Sequence, residues 1–520
     1  MKIVGEIKYS LLAALILLLA WEVKALFFLL FVAFLPLLHI VQIKQSFWRS
    51  FLSFYIPFFL FFGFSNLDLF LEGFKTTALV VGLLTLPAIW SLPFLLSKWT
   101  YKKSSTTLML LAFPFYYTAL EVLNYYWEIA FPWHHLGLAL SGISFFEGLF
   151  GILGIEGLSF LILFANVSIY YFWLNYKVKP KNWILGAVPI TLLLLLQLFL
   201  LSIKRESLEN EQIKVAVLHP KSQIYKQIKS DTKGQYEYLK YELERNNFQG
   251  ADLLVCGEGY LEDMNRFPLI VNELDSHPVI KALKELSIKY QTPILSGAIL
   301  VEMKYAKTPP TFTAKKKSDG AYFDIYNGSV LISPLDTTAW RSKQKFVPIT
   351  ETFPFLSTFE FLYSKGLIDF QAEKSYGNSL NNEPYRIADL LISPQICFEN
   401  LFPTALKTRG VQQADLQVLM SNDWSQSPSI IKKQAKYSRA SVNSFGVPLV
   451  FAAYNQHAYY YGKNEQKAAS KNSLSVFEFT LKNTKPIYPD LLTFYHLFYT
   501  VSSILFVILC NIKVANINEK

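Results

Sequence analysis

Long apolar runs near both ends of the chain, with a large polar segment between them, constrain this sequence most. A stretch of about 17 to 25 mostly apolar residues can cross a bilayer as a helix. The sequence has eight such stretches, at 8–22, 25–42, 48–65, 76–97, 105–124, 155–174, 183–203 and 490–511. Of the 520 residues, 52% are hydrophobic and only 17% are charged, which excludes an ordinary soluble protein. We therefore expect a polytopic membrane protein with eight transmembrane helices.

The polar segment between the seventh and eighth apolar runs has the pattern of a soluble α/β domain. Two stretches of helical periodicity, 231–246 and 277–290, lie among short β-rich runs at 214–218, 253–256, 293–301, 322–332, 390–397, 416–420 and 448–453. This alternation favours a buried sheet covered by helices. The predicted domains are a transmembrane domain of helices one to seven at 1–208, the α/β domain at 209–486, and helix eight with a short tail at 487–520.

Lysine and arginine residues near the ends of the apolar runs predict the orientation in the membrane. Such cations collect on the cytoplasmic side. With eight spans, one face receives Lys2, Lys8, Lys44, Arg49, Lys98, Lys102, Lys103, Lys177, Lys179, Lys181, Lys513 and Lys520. The opposite loop from Asn124 to Glu156 has no lysine or arginine. Both termini are therefore expected in the cytoplasm, and the α/β domain outside it.

Net charge and cysteine content exclude other classes of protein. The formal charge of +10 does not indicate a nucleic-acid partner, because many of the cations lie in short loops and form no basic, aromatic-rich face. The three cysteines, Cys256, Cys397 and Cys510, are too few for a disulfide framework and lack metal-ligand spacing. We therefore expect no metal and no cofactor. Cys256 is interpreted as a buried strand residue, with a redox bridge to Cys397 as the alternative.

Three short segments lie at or just after predicted strand ends, where α/β folds usually place their chemistry. They contain Glu258, Lys343 and Cys397. Each residue alone is a weak signal, since a carboxylate or a lysine in such a place is usually solvated and a cysteine is usually a small buried hydrophobe. Together they supply a base, a cation and a thiol, which is the set that nucleophilic acyl transfer needs.

At these residues the chain resembles the apolipoprotein N-acyltransferase family, whose members place a nitrilase-superfamily domain between the seventh and eighth of eight transmembrane helices. The resemblance rests on Lys343 with Phe346-Val347-Pro348 and Glu351, on Ile396-Cys397-Phe398-Glu399, on Ser421-Asn422-Asp423, on Tyr326-Asn327, on Phe131-Pro132-Trp133 and on the run from Gly154 to Phe160. The departures from the family pattern are Gly257, Ile349-Thr350, Phe398 and Trp424-Ser425-Gln426. The sequence therefore resembles a divergent member.

The resemblance implies a fold and a reaction. The fold is a polytopic α-helical membrane domain with a nitrilase-like αββα domain inserted between helices seven and eight. Glu258 would be the general base, Cys397 the nucleophile that forms a thioester with an acyl chain from phospholipid, and Lys343 the cation that offsets the oxyanion. The acyl group would then pass to the α-amine of a diacylglyceryl cysteine at the N-terminus of an apolipoprotein.

Further residues receive supporting roles by the same resemblance and by position. Orientation of the lysine and the thiol would involve Glu351, Glu399 and Phe398. Lipid access is proposed for Phe353, Phe355 and Trp133, with an ordinary packed segment as the alternative for the first two and an interfacial aromatic anchor for the third. His134 and His135, next to Trp133, have no evident partners in the sequence.

Location and partners follow from the same resemblance. The protein is expected as a monomer in the bacterial inner membrane, with the catalytic domain on the periplasmic side. Its partners would be a phospholipid donor and a diacylated apolipoprotein acceptor. Two alternatives stay open: a membrane-tethered carbon-nitrogen hydrolase such as an amidase, and a catalytically silent lipoprotein-binding homologue. A transporter is disfavoured because no span has an evident interior charge pair.

Overall fold

The structure, a computed structural model, describes residues 2–67, 78–176 and 212–518. Within the last range it leaves out 265, 307, 335, 369–371, 373, 380, 423–427, 456, 464, 470–471 and 482–484. The chain divides into two compact units, one of Met1–Lys204 with Pro486–Lys520 and one of Arg205–Lys485. The predicted seventh span at 183–203 and the motif residues 423–426 lie outside the described residues.

The first unit is helical. Its described helices are α1 (Lys2–Glu22), a 3₁₀ segment (Lys24–Phe31) followed by α2 (Leu35–Gln42), α3 (Phe47–Ser65), a π-helical segment (Ala78–Thr85) followed by α4 (Leu86–Lys103), α5 (Thr106–Leu123), a 3₁₀ turn (Leu136–Leu140), α6 (Ser144–Asn175) and the C-terminal helix (Tyr488–Asn518). An apolar helix satisfies its backbone polar groups internally, which is what a bilayer requires of a spanning segment.

Six helices in the described part of the chain are long and apolar enough to cross a membrane. They are Lys24–Gln42, Phe47–Ser65, Leu79–Lys103, Thr106–Leu123, Ser144–Asn175 and Tyr488–Ile512. Each coincides with a predicted span. The predicted first span at 8–22 is helical, as part of α1, but it is not among the six.

A buried polar contact joins the C-terminal helix to α6, contrary to the expectation that no span has an interior charge pair. The Glu156 carboxylate is fully buried and lies 3.5 Å from His496 Nε2. It also accepts a hydrogen bond from the Tyr488 hydroxyl at 2.9 Å. On its other nitrogen, His496 is hydrogen-bonded to the Tyr126 hydroxyl at 2.7 Å. Because apolar helices gain little from the hydrophobic effect inside a bilayer, such contacts fix which helices pair.

Helix α6 is interrupted at Gly154, two residues before Glu156. Gly154 has φ +64°, which is the left-handed region that favours glycine. A Cβ at this position would lie 1.9 Å from the Tyr488 ring. The glycine is therefore needed both for the kink and for the close approach of the C-terminal helix.

The second unit is an α/β domain. Its described strands, in chain order, are β1 (Gln212–Leu218), β2 (Leu253–Leu261), β3 (Leu269–Ile270), β4 (Ile294–Lys304), β5 (Lys315–Lys316), β6 (Tyr322–Ile332), β7 (Ala339–Ser342), β8 (Tyr385–Ile387), β9 (Leu390–Ile396), β10 (Leu416–Met420), β11 (Leu449–Ala452), β12 (Ala458–Tyr461), β13 (Gln466–Ala468) and β14 (Leu474–Thr480). Its described α-helices are α7 (Ser222–Ile228), α8 (Thr232–Arg245), α9 (Pro278–Lys289), α10 (Leu356–Ser364), α11 (Pro403–Thr408) and α12 (Pro428–Phe445).

The strands form two sheets. The first has the order β14-β1-β2-β4-β6-β5, with β3 paired to β4 and β7 paired to β6. The second has the order β13-β12-β11-β10-β9-β8. The central strands run parallel in both sheets, β1, β2 and β4 in the first and β9, β10 and β11 in the second. Parallel strands place their carboxyl ends at one edge, where side chains that follow them can meet.

Four layers of structure follow from the alternation of side chains along these strands. Val215 of β1 and Val418 of β10 belong to one core that lies between the two sheets. Leu218 of β1 and Leu283 of α9 belong to a second core, under α8 and α9. On the far side, Val442 of α12 packs against the second sheet. The domain is therefore a helix-sheet-sheet-helix sandwich, as predicted.

Candidate active site

Glu258 lies inside β2, at a bulge. Four residues of β2, 257–260, stand opposite a single residue of β4, Gly297. A Cβ on Gly297 would lie 2.4 Å from the Gly257 carbonyl oxygen, so only glycine allows this approach. Gly259 has φ +63°, a second requirement of the bulge. The sequence placed the strand end at Cys256, and that boundary is wrong, because the glycines shape the strand without ending it.

Three donors hold the Glu258 carboxylate. Asn327 Nδ2 donates to Oε1 at 2.8 Å, Lys343 Nζ donates to the same oxygen at 3.0 Å, and the Asn422 backbone N–H donates to Oε2 at 3.0 Å. The residue is only 5% exposed. Three hydrogen bonds fix the orientation of this carboxylate.

Lys343 is the first residue after β7 and is fully buried. Its backbone N–H donates to the Asn327 carbonyl at 2.7 Å, which anchors it to β6. Nζ donates to Glu351 Oε1 at 2.8 Å as well as to Glu258. Burial by itself lowers the pKa of Lys343, but the charges of Glu258, Glu351 and Cys397 outweigh it and hold that pKa well above its ordinary value. The ammonium is therefore a permanent cation at physiological pH.

Glu351 completes the carboxylate pair around Lys343. Its Oε2 accepts a hydrogen bond from the Val347 backbone N–H at 2.7 Å, which closes the loop that follows Lys343. Ile349 in this loop has φ +69°, an unusual conformation for a β-branched residue. Burial raises the pKa of Glu351, while Lys343 opposes that rise and Glu258 adds to it.

Cys397 is the first residue after β9 and opens a 3₁₀ turn, Cys397–Leu401. Its φ of +48° is in the left-handed region, which costs a non-glycine residue about 1–3 kcal/mol and persists only where the surroundings impose it. The side chain is partly buried against the core between the sheets. Cys397 is also one of the groups that raise the pKa of Lys343.

Glu399 and Phe398 are buried behind the thiol. The Glu399 carboxylate accepts hydrogen bonds from the Gln344 backbone N–H at 2.6 Å and from the Ile396 backbone N–H at 2.7 Å. The Phe398 ring packs edge-on against Phe402, with centroids 5.1 Å apart. Glu399 thus contacts the neighbours of both Lys343 and Cys397, and Phe398 is a packing residue.

The helical unit matches a known protein family. The family described as the apolipoprotein N-acyltransferase N-terminal domain matches residues 13–168. This range contains two of the motifs noted in the sequence, 131–133 and 154–160. The chain is similar to the apolipoprotein N-acyltransferases. The resemblance predicted from the motifs is thereby confirmed.

Curated relatives carry the same name. The apolipoprotein N-acyltransferase of Geobacter metallireducens is 26% identical over 363 residues, which cover 66% of this chain and 62% of the relative. That of Rickettsia prowazekii is 22% identical over 332 residues, or 62% and 60%. That of Pasteurella multocida is 23% identical over 345 residues, or 65% and 62%. The chain therefore spans about three-fifths of the length of the curated relatives that it matches.

Among solved structures, the carbon-nitrogen hydrolase of Helicobacter pylori has 12% identity and a TM-score of 0.34, covering 52% of this chain and 89% of that one. The C. elegans NitFhit protein has 15% identity and a TM-score of 0.36, covering 55% and 64%. Scores this low permit no inference from either protein to this one.

Residues 131–137 are buried within the helical unit, except for Trp133. Trp133 is half-buried, with its ring centroid 6.2 Å from that of Phe131. His135 is fully buried and contacts the Tyr125 hydroxyl at 2.9 Å and the Asn124 side-chain amide at 3.2 Å. His135 therefore has hydrogen-bond partners that the sequence did not reveal.

Phe353 and Phe355 follow Glu351 of the cluster by two and four residues, just before α10. They are 38% and 46% exposed, and Phe361 in α10 is 57% exposed. No residue of α10 is buried. The helix still contacts its own domain, because the Tyr363 ring lies 5.5 Å from that of the buried Phe312.

Cys256 does not join the site. It is 1% exposed and belongs to the core under α8 and α9, whereas Cys397 lines the core between the sheets. Neither cysteine forms a disulfide, and burial raises the pKa of Cys256. The interpretation of Cys256 as a buried strand residue is confirmed. Among the described residues, no group of three or more histidine, cysteine, aspartate or glutamate side chains could hold a metal ion.

Two residues of the cluster were not assigned a role from the sequence. Asn327, in the middle of β6, bridges Glu258 and Glu351, with Nδ2 at 2.8 Å and 3.4 Å from their carboxylates. Arg409 pairs with Glu399 at 2.9 Å. The sequence signal for Asn327 was its place in a family-like dipeptide. Arg409 gave no signal, since an isolated arginine after a short helix is usually solvated.

Proposed function

We propose that the protein N-acylates the diacylglyceryl-cysteine N-terminus of apolipoproteins with an acyl chain taken from phospholipid. The observation that carries this proposal is the position of Lys343. Its Nζ contacts the Glu258 and Glu351 carboxylates, and Cys397 interacts with it electrostatically. A base, a fixed cation and a thiol around one point are the parts of a nucleophilic acyl-transfer site. The similarity to apolipoprotein N-acyltransferases supplies the substrates.

In the first half of the reaction, Glu258 takes the proton of the Cys397 thiol and the thiolate attacks an ester carbonyl of a phospholipid. The C–S bond forms, and the oxyanion of the tetrahedral intermediate is offset by the Lys343 ammonium. Removal of one such donor typically costs about 3 kcal/mol of transition-state stabilisation. The C–O bond then breaks, Glu258 returns the proton to the leaving oxygen, and a lysophospholipid departs from the thioester.

In the second half, the α-amine of the diacylglyceryl cysteine attacks the thioester. The N–C bond forms, the C–S bond breaks, and a proton from the amine reaches the Cys397 sulfur by way of Glu258. The product is an amide and the free thiol. This ping-pong sequence needs no ATP, metal or cofactor, because the thioester conserves the transfer potential of the ester.

The segment before α10 is proposed to admit the acyl chain. Exposed aromatic rings at Phe353, Phe355 and Phe361 form an apolar surface that water-soluble domains rarely leave open. The Phe353 backbone N–H donates to Ser375 Oγ at 2.8 Å, which fixes the start of the segment. Trp133 remains a second proposed lipid contact in the helical unit. Double replacement of Phe353 and Phe355 by serine should raise the KM for phospholipid and leave the thermal midpoint unchanged.

The proposed setting is the bacterial inner membrane, with the protein as a monomer. The proposed domains are a transmembrane part at 1–208, a catalytic part at 209–486 on the periplasmic side, and a last helix with a cytoplasmic tail at 487–520. The charge pattern of the loops supports this orientation.

A transfer assay tests the function. The purified full-length protein is incubated in detergent with a phospholipid and a synthetic diacylated lipopeptide, and the triacylated product is measured by mass spectrometry. Product is expected from the natural protein and from Cys256→Ala, and none from Cys397→Ala. Release of free fatty acid with no lipopeptide product would instead identify a hydrolase, and no turnover of either kind would indicate a silent homologue.

A further inference from the structure

Arg409, at the end of α11, is among the largest fully buried side chains in the described part of the chain, with 1% exposure. Arginine is rarely buried completely unless it is paired. Its backbone is held as well, because Ser393 Oγ on β9 donates to the Arg409 carbonyl at 3.0 Å. The guanidinium is therefore placed from two directions.

The contacts of Arg409 converge on the neighbours of the two proposed reacting groups. Nη2 donates to the Ser342 carbonyl, immediately before Lys343, and to Glu399 Oε1 at 2.9 Å. The same Glu399 oxygen accepts from the backbone N–H of Gln344, immediately after Lys343. The other oxygen accepts from the backbone N–H of Ile396, immediately before Cys397.

We propose that the buried Arg409–Glu399 pair is a clamp that sets the position of Lys343 relative to Cys397, and that Arg409 is a positioning residue for the reaction. The proposal rests on the function proposed above. Lys343 follows a strand of the first sheet and Cys397 follows a strand of the second. Among the described strands no pairing joins these two ends, so their separation depends on side-chain contacts between the sheets.

Charge and geometry both enter the clamp. One carboxylate accepts from two backbone donors, one in the loop after β7 and one at the end of β9, and the guanidinium neutralises it out of contact with water. Without Arg409 the buried Glu399 charge has lost its cation, and the Ser342 carbonyl has lost a donor. Reacting groups tolerate little displacement, since a shift of about 1 Å can lower a rate about 100-fold.

Three variants of the full-length protein test the clamp. Arg409→Met removes the donor with little change in length, and Arg409→Lys keeps one charged nitrogen, which is informative because only Nη2 forms the two hydrogen bonds to Glu399 and Ser342. The matched control is Arg386→Met, an exposed arginine on β8 of the second sheet. For each variant the thermal midpoint, the single-turnover acylation rate with labelled phospholipid, and the rate of Cys397 alkylation by iodoacetamide are measured.

Arg409→Met is expected to lower the acylation rate at saturating phospholipid about 100-fold, with the KM for phospholipid within about twofold. Arg409→Lys should recover about tenfold of that loss, and Arg386→Met should match the natural protein. A lower thermal midpoint for Arg409→Met with an unchanged rate per folded molecule would mean that the pair only stabilises the fold, and the proposal would be wrong.

Alkylation of Cys397 separates this proposal from the proposed function, because it needs no lipid substrate. If the natural protein takes no acyl group from phospholipid, the proposed function fails, yet Arg409→Met should still alkylate at Cys397 several-fold more slowly than Arg386→Met. Equal alkylation rates would overturn the clamp whatever the substrate. If Arg409→Met does not fold, Arg409→Lys is tested in its place. Alkylation and acylation rates in Arg409→Lys that both equal those of the natural protein would overturn the clamp.

Discussion

Replacement of Lys343 by methionine should change the reactivity of Cys397 in a way that depends on pH. Lys343 is fully buried, contacts two carboxylates and interacts electrostatically with Cys397. The substitution keeps an unbranched chain of similar length but removes the only ammonium in these contacts. The thiolate of Cys397 then loses a nearby opposite charge, while the Glu258 and Glu351 carboxylates remain.

The size of the effect follows from two opposing terms. An opposite charge nearby changes an ionisation equilibrium by about 1–3 powers of ten. Taking the middle of this range, loss of the Lys343 charge lowers the thiolate fraction of Cys397 at neutral pH about 100-fold. A thiolate that forms less readily is also more nucleophilic, with a Brønsted coefficient of about 0.4–0.5, which returns about tenfold. Alkylation at pH 7 should therefore be about tenfold slower in Lys343→Met, whereas at pH 10 the variant should react as fast as the natural protein or faster.

The assay is the rate of iodoacetamide labelling from pH 6 to pH 10, read at the Cys397 peptide by mass spectrometry. Cys256 and Cys510 are buried and serve as internal controls that should stay unlabelled while the protein is folded. Lys343→Arg is the matched control, since it keeps the charge. The pKa of Lys343 is held well above its ordinary value, so the lysine itself does not titrate in this range.

Parallel profiles for Lys343→Met and the natural protein at every pH would refute the reasoning, since the cation would then not act on the thiol. If the two carboxylates left without a cation unfold the variant, labelling of Cys256 reveals it. In that case the double variant Lys343→Met with Glu351→Gln removes one of the two carboxylates. Its labelling should again be slower than that of the natural protein at pH 7 and as fast or faster at pH 10.

Three further predictions concern other parts of the molecule. Gly154→Ala should destabilise the helical unit by about 2–5 kcal/mol, because of the left-handed φ and the overlap with the Tyr488 ring. The control is Gly82→Ala, whose Cβ would meet nothing nearer than 3.9 Å and which should leave the thermal midpoint in detergent unchanged. Equal midpoints for the two variants would contradict the predicted role of Gly154. Asn327→Leu should slow lipopeptide acylation about tenfold, because a hydrogen bond to a charged group contributes about 1.5–3 kcal/mol, and a natural rate would exclude a role for Asn327. Burial raises the folded-state pKa of Glu351, so the stability from its protonation is present below the unfolded pKa of about 4.3 and is lost as pH rises through the folded pKa. When thermal midpoints are measured against pH, Glu351→Gln should lack this decline. An identical decline in the variant would assign it to other groups.

Local patterns in the sequence predicted much of the α/β domain. Tyr322–Ile332 and Leu416–Met420 are strands with the predicted bounds, because each is a largely apolar run limited by turn-forming residues on both sides. The predicted helix at 277–290 is α9, Pro278–Lys289, which begins with proline at its first position. Both signals are local, so a single sequence suffices to find them.

Contacts between distant residues could not be predicted in the same way. The β-rich run was predicted to end at 256, but Gly297 on the neighbouring strand lets β2 bulge and continue. Arg409 meets Ser342, 67 positions earlier in the sequence, and Glu156 meets His496 across the helical unit. Such pairs depend on which strands and helices become neighbours, and the spacing of residues along the chain does not contain that information.

The same limit applies to the site itself. Glu258, Lys343 and Cys397 were found from residue types and a family-like order. In the structure Glu258 contacts Lys343, and Cys397 interacts electrostatically with Lys343. The second carboxylate at Glu351 and the amide of Asn327 become part of the cluster only because β6 and the loop after Lys343 fold over it.

The most direct test of the central claim is detection of the acyl-enzyme. The full-length protein is incubated with a phospholipid labelled in its acyl chains, and the label on the protein is mapped and then chased with a diacylated lipopeptide. The account predicts a hydroxylamine-sensitive acyl group on Cys397 that disappears as labelled triacylated lipopeptide forms. Absence of any adduct on the natural protein, or an equal adduct on Cys397→Ala, would contradict it.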